Sequence, residues 1–143
     1  MFYQMSLVEV AEGLRAKKFS SVDVTKDLLK RAQELNPKIN AYVTFAEDFA
    51  LAQAKVADER LAKGDQSLLL GVPGALKDIY NTKGVRTTCC SKFLKNFVPP
   101  YNATVVDKLY DAGMVMTGKL NMDEFACGGS TEHSCFGVTK NPW

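Results

Sequence analysis

Lys77 is the residue whose position in the sequence points most directly to chemistry. It interrupts the apolar segment 71–79, which reads GVPGALKDI. A lysine on a buried strand must find an anionic partner or lose its proton, because burial disfavours the charged amine. A neutral amine can act as a general base near neutral pH. The same spacing also fits a lysine at the end of a strand that is solvated or paired with Asp78.

A second candidate is the glycine-rich segment 127–134, which reads CGGSTEHS. Glycine has no side chain, so this backbone could approach a small ligand closely. Ser130 and Ser134 could be nucleophiles beside His133, the only histidine, but no acid stands at a spacing that would orient its imidazole. A surface loop with a hydrogen-bonded histidine is the alternative interpretation.

The four cysteines follow no metal-binding or disulfide pattern. Cys89 and Cys90 are adjacent, which does not suit a disulfide framework, so all four are expected to be reduced thiols. Cys127, His133 and Cys135 are close in sequence, but zinc sites use paired ligand spacing and no second pair is present. We therefore expect neither a metal nor a cofactor in this chain.

Composition excludes several classes of protein. The chain has 143 residues, of which 46% are hydrophobic and 24% charged, as expected for one globular domain. A formal net charge of +2 gives no basic surface for nucleic acid. No apolar run approaches the roughly 18 residues of a membrane span, and residues 1–10 lack a secretory pattern. We expect a cytoplasmic protein that does not bind membranes.

Helical patterns dominate the first third of the chain. Capping-box patterns, in which a serine is followed three residues later by an acid, predict helix starts at Ser6 and Ser20. Asn36-Pro37 predicts the end of the second helix, because proline disfavours helix in the residue before it.

A short strand and a third helix are expected next. Alternating apolar residues predict a strand over 39–45, and helical spacing predicts a helix over 47–63 that Gly64 ends. The charged residues of this helix, Asp58 among them, are interpreted as its solvated face.

The pattern changes near Leu68. Apolar runs predict strands over 75–80 and 114–117, and a helix is expected over 103–112. The order of strand, helix and strand with short connections is typical of an α/β sheet. Further along, the acidic pair Asp123-Glu124 is interpreted as a helix start, where negative charge suits the helix dipole.

Several blocks in the same order resemble the amidase signature family, and the resemblance covers the chain from about Leu7 onward. The blocks are Gly71–Asp78, Thr82–Thr88, Asn102–Val106, Gly129–Glu132, Leu35–Ala41, Gly118–Ala126 and Phe136–Trp143. Four of them are most similar to one branch of that family, the A-type amidase subunits of glutamyl-tRNA(Gln) amidotransferases: Leu35–Ala41, Gly118–Ala126, Gly129–Glu132 and Phe136–Trp143.

The resemblance implies an α/β/α fold with a central mixed sheet and a serine–cis-serine–lysine triad whose lysine is Lys77. A buried neutral lysine would take a proton from a bridging serine, which activates the nucleophilic serine. The amide carbon is attacked, ammonia leaves and water releases the acyl-enzyme. Backbone N–H groups would form an oxyanion hole.

Both triad serines of the family follow the block that ends here at Trp143. Ser130 and Ser134 precede that block, so they are not assigned to the triad, and Gly129 and Ser130 are candidate substrate-binding residues near the mouth of the site. We expect residues 1–143 to be the N-terminal portion of one amidase domain, with a helical segment over about 6–64 and an α/β core starting over about 68–143. Alone, it is expected to be inactive and marginally stable.

The resemblance to this branch also implies partners. Glutamine would be hydrolysed, and the ammonia would convert Glu-tRNA(Gln) to Gln-tRNA(Gln) in a complex with B-type and C-type subunits, so that the complex is a carbon–nitrogen ligase. ATP and magnesium are expected on the partner subunit. Two alternatives remain: a stand-alone amidase of small amides, or a non-catalytic module that binds a partner through the apolar faces of its helices.

Overall fold

The first two helices begin at their predicted capping boxes in the computed structural model, which describes residues 1–143. Helix α1 spans Leu7–Arg15 and helix α2 spans Ser21–Ile39. At α1 the hydroxyl of Ser6 accepts the Glu9 N–H at 3.3 Å, and the Glu9 carboxylate accepts the Ser6 N–H at 2.7 Å. Ser20 and Asp23 exchange the same pair of bonds at α2. Both predicted helix starts are confirmed.

The predicted end of α2 at Asn36-Pro37 is wrong. The helix continues to Ile39 and ends at Asn40, which has a left-handed backbone with φ of 57°. The helix contains Pro37, and the Asn36 side chain stabilises its last turn: it donates to the Tyr42 carbonyl at 3.0 Å and accepts the Tyr42 N–H at 2.8 Å. These bonds hold the chain as it turns from helix to strand.

Strand β1 spans Tyr42–Phe45 and helix α3 spans Glu47–Ala62. The strand is shorter than predicted because residues up to 39 belong to α2. The predicted helix is confirmed, and its buried face consists of Ala50, Ala54 and Ala57. These small side chains allow α3 to pack closely against its neighbours, and two of them share a buried cluster with Leu29 of α2 and Val115.

The remaining elements are strand β2 (Pro73–Lys77), helix α4 (Thr104–Asp111) and strand β3 (Val115–Leu120). The strands form a mixed sheet in the order β1-β3-β2, in which β3 is antiparallel to β1 and parallel to β2. The predicted α/β class with a mixed sheet is thus confirmed. Because β1 comes from the helical first third, that segment and the later α/β segment share one sheet.

The bounds of β2 and β3 differ from prediction. β2 begins at Pro73 rather than at residue 75, and it ends at Lys77, three residues early, because the Tyr80 N–H closes a turn onto the Lys77 carbonyl. β3 extends three residues beyond Thr117, because both of its neighbours continue to pair with it as far as Leu120. None of the helices has the length and apolar character needed to cross a bilayer.

Candidate active site

Lys77 is the last residue of β2 and lies opposite Leu120 of β3. Its side chain is exposed, whereas Leu76 and Asp78 on either side of it are buried. Successive side chains of a strand point to opposite faces, so this alternation sends the Lys77 amine outward. Asp78 pairs with a different lysine, as described below. Lys77 is therefore an accessible amine at a strand end, and the expectation of a buried lysine is wrong for this chain.

The carboxylate of Asp78 fixes the backbone that follows Lys77. It is fully buried, and its Oδ2 accepts the Thr88 N–H at 3.0 Å, the Thr88 hydroxyl and the Cys90 N–H at 3.3 Å. The Asp78 N–H still donates to Leu120 at 3.0 Å, and the Tyr80 N–H closes a turn onto the Lys77 carbonyl at 3.1 Å. The Lys77 side chain thus projects from a turn whose backbone is held by these hydrogen bonds.

Lys119 is the charged residue that sequence reasoning missed. It is fully buried on β3, and its Nζ donates to the Tyr80 carbonyl and to the Thr87 hydroxyl, both at 2.7 Å. Nζ also lies 3.6 Å from Oδ1 of Asp78. Burial lowers the pKa of Lys119, and the Asp78 carboxylate opposes that shift. The signal that singled out Lys77, a lysine within an apolar run, was also present here, but the predicted strand stopped at Thr117.

The segment 88–91 joins the Lys77 turn to the glycine-rich loop. Cys89 donates its N–H to the Asp78 carbonyl at 3.1 Å, and its own carbonyl accepts the Phe125 N–H at 3.0 Å. The Cys90 carbonyl accepts the Cys135 N–H at 3.0 Å. Burial raises the pKa of the Cys90 thiol to about 11. Residues 88–91 therefore connect the turn after Lys77 with the glycine-rich loop, the two regions for which the sequence predicts chemistry.

Asp123 shapes the glycine-rich loop. Its buried carboxylate accepts the N–H groups of Ser130, Thr131 and His133, each at 2.9 Å. These bonds, with those of His133 and Thr131 strongest, lower the pKa of Asp123. Asp123 does precede a short 3-10 helix (Glu124–Ala126), as the sequence suggested for a helix start, but its side chain holds the loop instead of capping that helix.

The candidate residues of this loop have different surroundings. Gly129 and Ser130 are exposed, and the Ser130 hydroxyl donates to Glu132 at 3.1 Å. The Ser134 hydroxyl is buried and donates to Asn121 at 2.6 Å. His133 is exposed on the loop. The Ser134 hydroxyl is therefore occupied by its bond to Asn121, whereas Gly129 and Ser130 are accessible to solvent.

The cysteines are free thiols. Cys135 lines an open groove of about 610 Å³ with Lys92, Phe93, Glu124 and His133. No group of three or more histidine, cysteine or acidic side chains lies close enough together to hold a metal ion.

Comparison with known proteins identifies the class. The family described as Amidase matches residues 23–143, so the chain belongs to the amidase family. It is similar to the A-type subunit of the glutamyl-tRNA(Gln) amidotransferase of Pseudomonas aeruginosa, with 52% identity over 100% of this chain and 30% of the relative. The same protein of Thermoanaerobacter pseudethanolicus is 50% identical over 99% of this chain and 29% of its own length. The chain thus spans about 30% of the curated relatives it matches.

Solved structures give the same family. The A-type subunit of the Thermotoga maritima glutamyl-tRNA(Gln) amidotransferase superposes with a TM-score of 0.75 and 32% identity, over 100% of this chain and 28% of that protein. A bacterial aryl acylamidase of the amidase signature family superposes with a TM-score of 0.89 and 26% identity, over 96% of this chain and 29% of the enzyme. The resemblance found in the sequence is confirmed, together with the fold that it implied.

Proposed function

We propose that the protein containing this chain hydrolyses glutamine and supplies the ammonia for tRNA-dependent amide formation. The observation that carries the proposal is the position of Lys77. Its amine is exposed at the end of β2, on a turn that is held in place by the buried side chains of Asp78 and Lys119. An identity of 52% over the whole chain to the A-type subunit of a glutamyl-tRNA(Gln) amidotransferase supports the choice of substrate.

In this proposal Lys77 is the general base. Its amine accepts a proton through a bridging serine hydroxyl, and the nucleophilic serine attacks the amide carbon of glutamine. Both hydroxyls belong to the segment that follows the Asn-Pro-Trp block in the family. The C–N bond breaks, ammonia leaves with the transferred proton, and water hydrolyses the acyl-enzyme to glutamate.

We assign Gly129 and Ser130 to substrate binding. Both are exposed on a loop whose backbone is fixed by Asp123, and no atom lies within 4 Å of the position that a Cβ of Gly129 would take. A rigid loop without side-chain bulk is suited to bring backbone groups against a small polar substrate.

The released ammonia defines the partners we propose. The relatives are named as one component of a tRNA amidotransferase, so partner subunits of B and C type would receive ammonia and amidate Glu-tRNA(Gln). ATP and magnesium would be used by those partners, and no step assigned to Lys77 requires them.

We place this assembly in the cytoplasm, where translation supplies its tRNA. We also propose that residues 1–143 form part of one amidase domain.

A stand-alone amidase of small amides is the second candidate. It is favoured by the superposition, since the TM-score is 0.89 for the aryl acylamidase and 0.75 for the Thermotoga amidotransferase component. Sequence identity favours the first candidate, with 52% for the Pseudomonas amidotransferase component and 26% for the acylamidase. Membership of the amidase family disfavours a purely non-catalytic binding module.

Ammonia release by the full-length protein tests the proposal, with glutamine and an aryl acetamide as substrates, with and without B-type and C-type subunits. Glutamine hydrolysis is expected, and Lys77→Ala should lower it by about 10²–10⁴-fold. Lys77→Arg should not restore it, because arginine stays protonated. Lys55→Ala, which changes an exposed lysine of α3, serves as the control.

The outcomes separate the candidates. Hydrolysis of the aryl amide alone would replace the first candidate by the second. Full turnover by Lys77→Arg would exclude Lys77 as the base. Absence of amide hydrolysis by the wild type, in the presence of its partners, would favour the binding module.

A further inference from the structure

We propose that the buried pair of Lys119 and Asp78 positions Lys77 for catalysis, an inference that rests on the proposed amide hydrolysis. Neither residue of the pair would touch the substrate. Both act on the turn of residues 77–80, which carries the Lys77 amine at its start.

The location of the pair is the first reason. Lys119 lies opposite Leu76 in the β2–β3 register, one residue before Lys77 pairs with Leu120. Both members of the pair have no exposed side-chain surface. A buried ion pair loses hydration on both sides and is a weak contributor to stability compared with well-packed apolar residues. Asp78 directly follows Lys77 and Lys119 lies opposite Leu76, so the pair is placed to specify the geometry of this end of β2.

The hydrogen bonds of Lys119 show what geometry is specified. The ammonium donates to the Tyr80 carbonyl at 2.7 Å and to the Thr87 hydroxyl at 2.7 Å, and its nitrogen lies 3.6 Å from Oδ1 of Asp78. That oxygen is buried and has no hydrogen-bond partner of its own, so the charge of Lys119 is its only compensation. Removal of either side chain would therefore leave the other charge buried without its partner.

These contacts fix the turn at two points. Tyr80 is held through its carbonyl by Lys119, and its N–H closes the turn onto the Lys77 carbonyl at 3.1 Å. Asp78 is held through Oδ2, which binds the Thr88 N–H at 3.0 Å. A displacement of the Lys77 main chain would therefore disturb the Tyr80 turn or the bonds of buried Asp78, while the exposed Lys77 side chain can reach a hydroxyl. A displacement of about 1 Å in a catalytic group costs about 10²-fold in rate.

The test uses the full-length protein and the variant Lys119→Met, which keeps an unbranched side chain but removes every donor. We expect kcat for amide hydrolysis to fall about 10²-fold with little change in KM, because the base is misplaced while the substrate site is intact. The double variant Lys119→Met/Asp78→Asn should lose less than the two single variants combined, because the two residues act as a unit, and additive losses would contradict this. Lys55→Met is the matched control on an exposed lysine.

Hydrogen exchange supplies a readout that does not depend on activity. In Lys119→Met, amides of residues 78–91 should exchange faster, while those of α3 exchange as in the wild type. If Lys119→Met does not fold, Thr87→Val removes one acceptor of the ammonium without burying a charge, and about a tenfold loss of kcat at constant KM is expected.

Each outcome decides the question. A wild-type kcat in Lys119→Met or Thr87→Val overturns the positioning role while the proposed function stands. Faster exchange throughout the chain, with a loss of kcat no larger than the loss of folded protein, shows a purely structural pair and also overturns it. If the wild type hydrolyses no amide, the proposed function fails. Faster exchange of Lys119→Met that is confined to residues 78–91 would then still show that the pair fixes this turn.

Discussion

Asp58 of α3 accepts the backbone N–H of Ser21, the first residue of α2, with Oδ1 2.6 Å from the nitrogen. Its Oδ2 accepts the next N–H, from Val22, at 3.2 Å. The sequence placed Asp58 on a solvated helix face, and for this residue that interpretation is wrong. The carboxylate satisfies two free N–H groups at the start of another helix, where negative charge also suits the dipole.

Replacement of Asp58 by alanine should therefore lower stability. Asp58→Ala is expected to reduce the free energy of unfolding by about 1–2 kcal/mol, as for the loss of a helix cap. Urea denaturation followed by circular dichroism measures the change. The neighbouring exposed residue supplies the control, since Glu59→Ala should leave the midpoint within error. Equal losses in both variants would show that the cap contributes nothing.

Gly128 and Gly129 should respond differently to the same substitution. A Cβ at Gly128, whose φ is +152°, would lie 2.6 Å from the carboxyl carbon of Asp123, whereas a Cβ at Gly129 would meet no atom within 4 Å. Gly128→Ala is expected to lower the free energy of unfolding by about 1–3 kcal/mol. Thermal melts and the rate of proteolysis within residues 127–134 measure this, and Gly129→Ala should match the wild type in both.

Acid should weaken the loop through Asp123. Three N–H donors hold its pKa below the ordinary value of 3.8, so the unfolded chain binds its proton first as the pH falls. The stabilisation is complete above the unfolded pKa and is lost as the pH falls through the lower, folded value. The difference in melting temperature between wild type and Asp123→Asn should therefore be largest near neutral pH and should shrink in acid. A difference that grows in acid would contradict this assignment.

The four thiols should react at different rates with an aromatic disulfide reagent. Cys127 is exposed, whereas Cys90 is fully buried and its pKa is raised to about 11. Only the thiolate reacts, and about one thousandth of a thiol with that pKa is ionised at pH 8. Mass spectrometry after a brief reaction should find Cys127 modified first and Cys90 last. Early modification of Cys90 in the folded protein would show that the segment 88–91 opens readily.

The features that sequence predicted well depend on neighbours in the chain. The capping boxes at Ser6 and Ser20 join residues three apart, and the alanine face of α3 follows from helical spacing alone. The features that were missed depend on distant partners. Asn36 stabilises the end of α2 through Tyr42 of a strand, and β3 runs to Leu120 because two other strands pair with it.

In the candidate site, too, the residues that depend on sequence neighbours were predicted and those that depend on distant partners were missed. Lys77 was found because a lysine interrupts an apolar run, a signal that a single segment contains. The role of Lys119 depends on Tyr80 and Thr87, which are 39 and 32 residues away in sequence. Asp123 holds a loop seven to ten residues further on, through backbone groups that have no signature in side-chain type.

The strand order has a consequence for synthesis of the chain. β3 lies between β1 and β2, yet it is made after both. A nascent chain that ends before Val115 carries two strands with no partner and hence several unpaired edges that could join the wrong neighbour. These three strands can therefore pair only after Val115–Leu120 has been made, because β3 is the one strand that contacts both of the others.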